Sequence, residues 1–474
     1  MLFTSLEFLF LFLPAVLVGY YVLRRELRNA WLLVASLAFY AYGEPRFVLV
    51  MVASILVNYI LALIVSACRR TSARKSALAV AILLNLALIF VYKYANFVTS
   101  VARSLFPGWQ GVIPQTSFVL PIGISFFTFQ AMSYVVDVYR GVPAQKNPVN
   151  IALYIAMFPQ LIAGPIVRYD TVAGQLASRH ESLDKFSSGV SRFLAGFAKK
   201  MLLANLFAAT ADKYFDATGL SVCGAWLGAV CYTFQIFFDF SGYSDMAIGL
   251  GRMFGFEFLE NFNYPYVSRS VTEFWRRWHM SLGSWFRDYL YFPLGGSRVA
   301  TKIRLVFNLS VVWLATGIWH GANWTFILWG AMYGVLIIAE KMTNWPKRIE
   351  GRRVLGIAGW AATMLFVVLG WVLFRATSLE SAGRYLAAMF GFGATGLMDD
   401  PTRFQLGESA VILLAGVAAS VPWLPWLGSQ ISAKSPRVLC ALELVGNVAL
   451  VALFFVGVSY LAMNAHNPFI YFNF

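Results

Sequence analysis

The chain carries only four histidines, at positions 180, 279, 320 and 466, and two of them stand where their chemistry could matter. His320 lies in the run Trp319-His320-Gly321-Ala322-Asn323-Trp324. An imidazole flanked by two tryptophans and set between two apolar runs is desolvated. Burial favours its neutral form, which is the form a general base needs. Gly321 and Ala322 carry almost no side chain, which suggests room for another molecule's chain beside the imidazole. His279 sits in a different field, inside TEFWRRWHMSLGSWFRDYLY at 272–291. Arg276 and Arg277 precede it closely. Their guanidiniums suit a phosphorylated or otherwise anionic ligand and disfavour a proton on a neighbouring histidine. With Trp275 and Trp278 they make this stretch too charged for lipid and too aromatic for a solvated loop. Taken alone, either histidine could also be a hydrogen-bonded core residue.

Two carboxylates add to the constellation. Asp239 and Asp245 lie in FFDFSGYSDMAIGLG at 237–251, within sequence otherwise apolar enough to span a membrane. A charge at the centre of such a helix costs about 2.5–3.5 kcal/mol on insertion scales, so each invites a functional explanation. The competing explanation is structural, because Ser241 and Asp245 are helical neighbours and such clusters tie helices together. Other chemistries lack their signatures. HExxH and CxxC are missing, so no metal is expected. GxSxG is missing, and so are Walker and dinucleotide-binding motifs.

The elements that must hold these residues follow from composition. The chain has 474 residues, 59% hydrophobic, 17% aromatic and 12% charged. Solid apolar runs recur along it, which excludes the short alternating segments of a β-barrel and predicts an all-α polytopic membrane protein. The net charge of +15 fits basic loops beside anionic lipid better than nucleic acid, for which no reading motif is present. The run from Phe8 to Leu23 precedes Arg24, Arg25 and Arg28, and a third run ends in RRTSARK at 69–75. Both basic clusters then lie in the cytoplasm and the N-terminus outside. The same counting places 93–116 in an extracytoplasmic loop. Pro159, Gly164 and Pro165 predict a broken or re-entrant element, which is tolerated at membrane depth only where it is buried or lines a cavity. A polar surface loop is expected from Arg168 to Lys185, with His180 solvated. An amphipathic helix from Phe186 to Phe207 carries Arg192, Lys199 and Lys200, and reads as interfacial or as a span with its charges at the ends. Residues 375–406 read as a looser segment, and the aromatic tail NPFIYFNF as packing back on the protein or at the interface.

Several stretches together resemble the membrane-bound O-acyltransferase family. They are LPIGISFFTFQAMSYVVDVYRG at 120–141, FPQLIAGPIVR at 158–168, DFSGYSDMAIGLG at 239–251, ENFNYPYVSRSVTEFWRRWHMSLGSWFRDYLYFPLGG at 260–296 and WHGANWTFILWG at 319–330. The resemblance implies one integral-membrane domain over 1–474 with a core at about 118–345. About 10–13 spanning or re-entrant helices would surround a tunnel. It maps the family's invariant histidine to His320 and its second histidine to His279. Donor contacts then fall to Arg276, Arg277, Trp275, Trp278 and Asn323, with Asp239 and Asp245 shaping the tunnel wall.

The branch resembled implies a bacterial inner-membrane protein that takes acetyl from a cytoplasmic thioester, acetyl-CoA in the first place, with no bound cofactor. A periplasmic SGNH-hydrolase-like acetyltransferase would receive the group and esterify an exopolysaccharide of the alginate or cellulose kind, alongside the secretion machinery. A sister branch implies D-alanyl transfer from a carrier protein instead. The non-enzyme alternative is a transporter or channel lined by the carboxylates.

Overall fold

The structure is a computed structural model, and it describes the chain except residues 433–434, 464–466, 468–469 and 471–474. His466 and most of the aromatic tail therefore lie outside the described residues. Among those described there are helices and turns but no strands. Among the described residues eight helices are long and apolar enough to cross a membrane. A bent pair, Asp400–Ala419 with Trp423–Ile431, makes a ninth if it is one span, and Phe8–Val22 is a shorter apolar helix. The chain is a multi-pass α-helical membrane protein.

Two compact units share the chain, one formed by Met1–Val190 and Met246–Leu259, the other by Ser191–Asp245 and Glu260–Phe474. In the first unit the helix Ile124–Tyr139 is buried over nearly its whole length. Pro148–Ala156 is followed by a buried break at Met157 and a buried single turn, Phe158–Leu161, so the proline and glycine signals mark a broken, internal element. Phe158 closes an aromatic cluster with Phe3, Phe8, Phe12 and Phe39.

Two expectations for this unit need correction. The helix from Thr71 runs on to Leu105, so residues 93–105 are helical and Lys93 is buried within the span, its ammonium 3.3 Å from Ser125 Oγ. The lysine read as a boundary is held inside by that hydroxyl. The polar stretch after Arg168 contains the helix Tyr169–Ala177. Beyond it His180 is exposed, while its neighbours are tied down: Glu181 accepts from Tyr20 Oη at 2.6 Å and pairs with Arg28 at 2.9 Å.

In the second unit the middle of the helix Leu183–Phe215 is joined by ion pairs to the helix Val222–Met253. The cations of the first helix are not at its ends. Lys199–Ala204 form a π-helical turn at its middle, and π-turns of this kind shift the register of side chains and recur at special sites. There Lys200 meets Asp239 at 2.7 Å, both nearly fully buried, and Lys199 meets Asp245 at 2.6 Å. Arg192 binds the same Asp245 at 2.6 Å. The helices can close over these pairs because Gly242 has no Cβ; one added there would stand 2.8 Å from the Gly196 carbonyl oxygen. Residues 375–406 are also more ordered than their composition suggested. Ser378 and Ser381 form a capping box that starts the helix Leu379–Met389.

Candidate functional site: two buried imidazoles

His320 is the last residue of the helix Lys302–His320, which turns back through Gly321 and Asn323 into Trp324–Thr343. The hairpin is tight because glycines face each other across it. A Cβ on Gly317 would lie 2.5 Å from Phe326 O, and one on Gly330 2.6 Å from Trp313 O. Small residues allow this backbone approach, which replaces the hydrophobic drive that lipid cannot supply. Asn323 caps the second helix by accepting from Thr325 N–H at 3.1 Å, and its amide donates to Thr377 O at 2.8 Å. Both ends of the Asn323 side chain are thus engaged in structure.

The imidazole of His320 is buried among Trp319, Trp329 and Phe374, at ring separations of 4.9, 4.8 and 5.4 Å. Its Nδ1 lies 2.8 Å from the Thr316 carbonyl oxygen. A carbonyl only accepts, so Nδ1 carries a hydrogen and the neutral ring keeps its lone pair on Nε2. One expectation fails here. The space beside Gly321 is filled by the Phe326 ring, into which any Cβ on that residue would collide. The glycine serves close packing of the hairpin rather than access to the base.

The stretch around His279 is built from two short helices. Val271–Arg277 begins with Ser270, whose side chain caps the helix by accepting from Glu273 N–H at 3.1 Å. The next two free amides, of Val271 and Thr272, are taken by the Glu340 carboxylate at 2.7 and 2.8 Å. Trp278 follows, buried against Phe274, Phe262 and Trp371. Trp275 packs on Trp313, Trp329 and Tyr333. These two tryptophans build the floor that connects the histidine stretch to the hairpin.

His279 itself stands between the two helices with a left-handed backbone, φ 46° and ψ 52°. That conformation costs a non-glycine residue about 1–2 kcal/mol and is worth noting where it occurs. The side chain is buried, its ring 4.7 Å from Phe240 and 6.1 Å from Trp319. Its Nδ1 lies 3.1 Å from Asn261 Oδ1, and its buried Nε2 has no hydrogen-bond partner among the described residues. Burial holds the imidazole well below its ordinary pKa, and charge on His320 pushes it the same way. Trp319 touches both rings, so the two imidazoles share one aromatic environment.

The remaining sequence-derived site residues divide by what already engages them. Arg277 is tied to Glu273 at 3.0 Å and donates to Asn263 O at 3.2 Å. Arg276 is exposed, with no ion pair among the described residues. Asp239 accepts from Ile470 N–H at 2.9 Å besides its pair with Lys200. Asp245 is shared between Lys199 and Arg192. Sequence reasoning missed Asn261 and Glu340. The signal for Asn261 was a polar residue set beside aromatic ones in ENFNYPY. Glu340 was a lone carboxylate near the end of an apolar helix.

Two buried imidazoles with fixed tautomers thus stand among the helices of a membrane protein. Comparison with known proteins gives the family. Residues 75–383, which include both imidazoles, match the model of the MBOAT, membrane-bound O-acyltransferase family, and the chain belongs to that family. It is an O-acyltransferase. It is 41% identical to a probable alginate O-acetylase AlgI of Azotobacter vinelandii over the whole of both chains. It is 43% identical to the protein of that name in Pseudomonas aeruginosa, over 92% of this chain and 84% of the relative. A peptidoglycan O-acetyltransferase of Helicobacter pylori is 35% identical over 84% of this chain and 81% of its own.

Proposed function

We propose that the protein moves an acetyl group from cytoplasmic acetyl-CoA to an acceptor beyond the inner membrane, for O-acetylation of an exported polysaccharide of the alginate kind. The observation that carries this reading is the pair of buried imidazoles, each with Nδ1 tied to an oxygen and Nε2 left as the basic nitrogen. The full-length likeness to alginate O-acetylases supports the acetyl group and the polymer class.

In this scheme His320 Nε2 takes the proton of an acceptor hydroxyl as its oxygen attacks the thioester carbonyl carbon. The C–S bond breaks, the acetyl ester forms, and the departing thiolate recovers the proton from the imidazolium as free thiol. General-base assistance of this kind contributes about 10²–10⁴ in rate. His279 lies on the same aromatic wall, where its Nε2 lone pair accepts from an N–H of the donor arm and orients it. Arg276, exposed and in no ion pair among the described residues, is the better phosphate contact, because Arg277 already serves Glu273 and Asn263. Trp275, Trp278 and Asn323 support the site from behind. Asp239 and Asp245 lock helices together.

The basic clusters at 24–28 and 69–75 are separated by two helices, Arg28–Gly43 and Phe47–Ala67, which supports a periplasmic N-terminus and a cytoplasmic donor side. The acceptor is then a periplasmic SGNH-hydrolase-like acetyltransferase working beside the secretion machinery, and the family core runs over about 118–345.

The test incubates membranes holding the full-length protein with acetyl-labelled acetyl-CoA, with and without the periplasmic partner. A D-alanyl-charged carrier protein serves as the second donor. Label should reach the acceptor from acetyl-CoA alone, and His320→Ala should abolish it while leaving the protein folded. A folded His320→Ala protein that transfers acetyl at the wild-type rate would overturn the base assignment. Transfer from the charged carrier alone would overturn the donor.

A further inference from the structure

The loop that enters the histidine stretch is held by one residue, Asn261, which is almost wholly buried. Its own carbonyl accepts from Met280 N–H at 2.9 Å. Its side-chain oxygen accepts from Ser281 N–H at 3.2 Å and from Ser281 Oγ–H at 2.8 Å, and faces His279 Nδ1 at 3.1 Å. These are the first amides of the helix Met280–Phe286, which no intrahelical carbonyl can satisfy. Asn261 takes both of them, and the left-handed turn at His279 is what brings ring and amides to the same oxygen.

The orientation of the Asn261 amide follows from these contacts. A backbone N–H only donates, so the group facing Ser281 N must be the oxygen. That oxygen then requires a hydrogen on His279 Nδ1, and the lone pair falls on Nε2, the atom with no partner among the described residues. The Asn261 amide nitrogen donates to Ser244 Oγ at 3.0 Å, which anchors the loop to the Val222–Met253 helix. One residue further out the same two segments are joined again. Asp245 and Glu260 are bridged by Arg192, at 2.6 and 2.5 Å. Ser244 and Asp245 thus hold Asn261 and Glu260 through an inner neutral clamp and an outer charged one. Around the imidazole, Phe240 contributes only an apolar ring and His320 stands beyond Trp319. The nearest charges on the two clamped segments, Asp245, Arg192 and Glu260, are paired with one another.

We infer that Asn261 is a positioning residue for the acyl transfer: it fixes His279 as the Nδ1–H tautomer and presents Nε2 as a neutral base or hydrogen-bond acceptor toward the reacting groups. The inference rests on the reading that His279 takes part in that reaction. A neutral amide suits this task better than a carboxylate, because it fixes the tautomer without stabilising a charged ring. Asp at the same position would accept the same three hydrogens but favour the imidazolium.

The test uses the full-length protein in membranes and measures kcat and KM for acetyl-CoA between pH 5.5 and 8.5. Asn261→Asp should keep activity at the alkaline end and move the acid limb of kcat upward by one to three pH units, the range an adjacent opposite charge produces. Asn261→Ala should lower kcat at least about tenfold with KM little changed, because an unanchored ring loses its tautomer and its aim. Should Asn261→Ala not fold, the near-isosteric Asp variant carries the test alone. His279→Gln separates the two levels of the argument. If it keeps the wild-type kcat, His279 has no part in the reaction. If it is impaired while Asn261→Asp retains the wild-type pH profile, Asn261 does not position it and the inference falls.

Discussion

Lys200 and Asp239 form the most deeply buried ion pair described in the protein, 2.7 Å apart with side chains 4% and 1% exposed. Breaking such a pair from one side leaves a charge that neither water nor lipid can solvate, at a cost of about 3–5 kcal/mol. Replacing both partners removes the charges together and is close to neutral, because the desolvation penalty disappears with the attraction. Lys200→Met and Asp239→Asn should therefore each lower the thermal midpoint in detergent by about 10 °C, taking roughly 2–4 °C per kcal/mol for a unit of this size. The double variant should recover most of that loss. Ile470 N–H also reaches Asp239, and the asparagine still offers it an oxygen, so the single Asp239 change isolates the lost charge. Monodisperse protein remaining after heating, followed by size-exclusion fluorescence, reads the midpoints. The same preparations report acetyl transfer, which should track stability. If the two losses simply add in the double variant, the pair is not coupled. If Asp239→Asn keeps its wild-type midpoint but loses donor binding, the carboxylate belongs to the site.

Adding a methyl at Gly330 drives a Cβ to 2.6 Å from the Trp313 carbonyl oxygen. Gly330→Ala should cost about 1–3 kcal/mol through overpacking, seen as a lower thermal midpoint and a displaced His320 hairpin. His279 has its folded pKa depressed by burial and by His320. The unfolded chain therefore takes up a proton near pH 6.5 while the folded one does not. Stability should fall as pH drops below about 6.5, by up to ~1.4 kcal/mol per unit, and His279→Gln should flatten that acid limb in pH-resolved melting curves. Arg276→Gln should raise KM for acetyl-CoA at constant kcat, with the effect shrinking at high salt. Arg277→Gln should instead lower stability through its lost contacts to Glu273 and Asn263, with KM for acetyl-CoA unchanged.

The helices were legible because long apolar runs leave few alternatives, and Phe47–Ala67, Lys302–His320 and Arg353–Arg375 fall where hydropathy sets them. What hydropathy obscured was every charge whose partner is distant in sequence. Lys93 read as a boundary, and Lys199 and Lys200 as interfacial or helix-end charges, because the serine or carboxylate that admits each one comes from another helix. Gly321 shows the converse limit. A missing side chain signals either space or contact, and only the position of Phe326 decides between them. At the candidate site the two histidines were visible as residue types in unusual company. Asn261 was not singled out, because its role comes from the turn at His279, which brings three hydrogens to one amide oxygen.

The mid-helix cations also bear on how the chain enters the membrane. Leu183–Phe215 leaves the ribosome with Lys199 and Lys200 at its midpoint, while the carboxylates that meet them sit 39 or more residues later, at Asp239 and Asp245. Each uncompensated lysine at a helix centre disfavours insertion by about 2.5–3.5 kcal/mol. The first helix is therefore a poor substrate for the insertion machinery by itself, and the short 216–221 connection lets it wait for its partner. Entering as a hairpin would let the salt bridges form before lipid closes around them, so the spacing of charges along the chain favours one order of assembly.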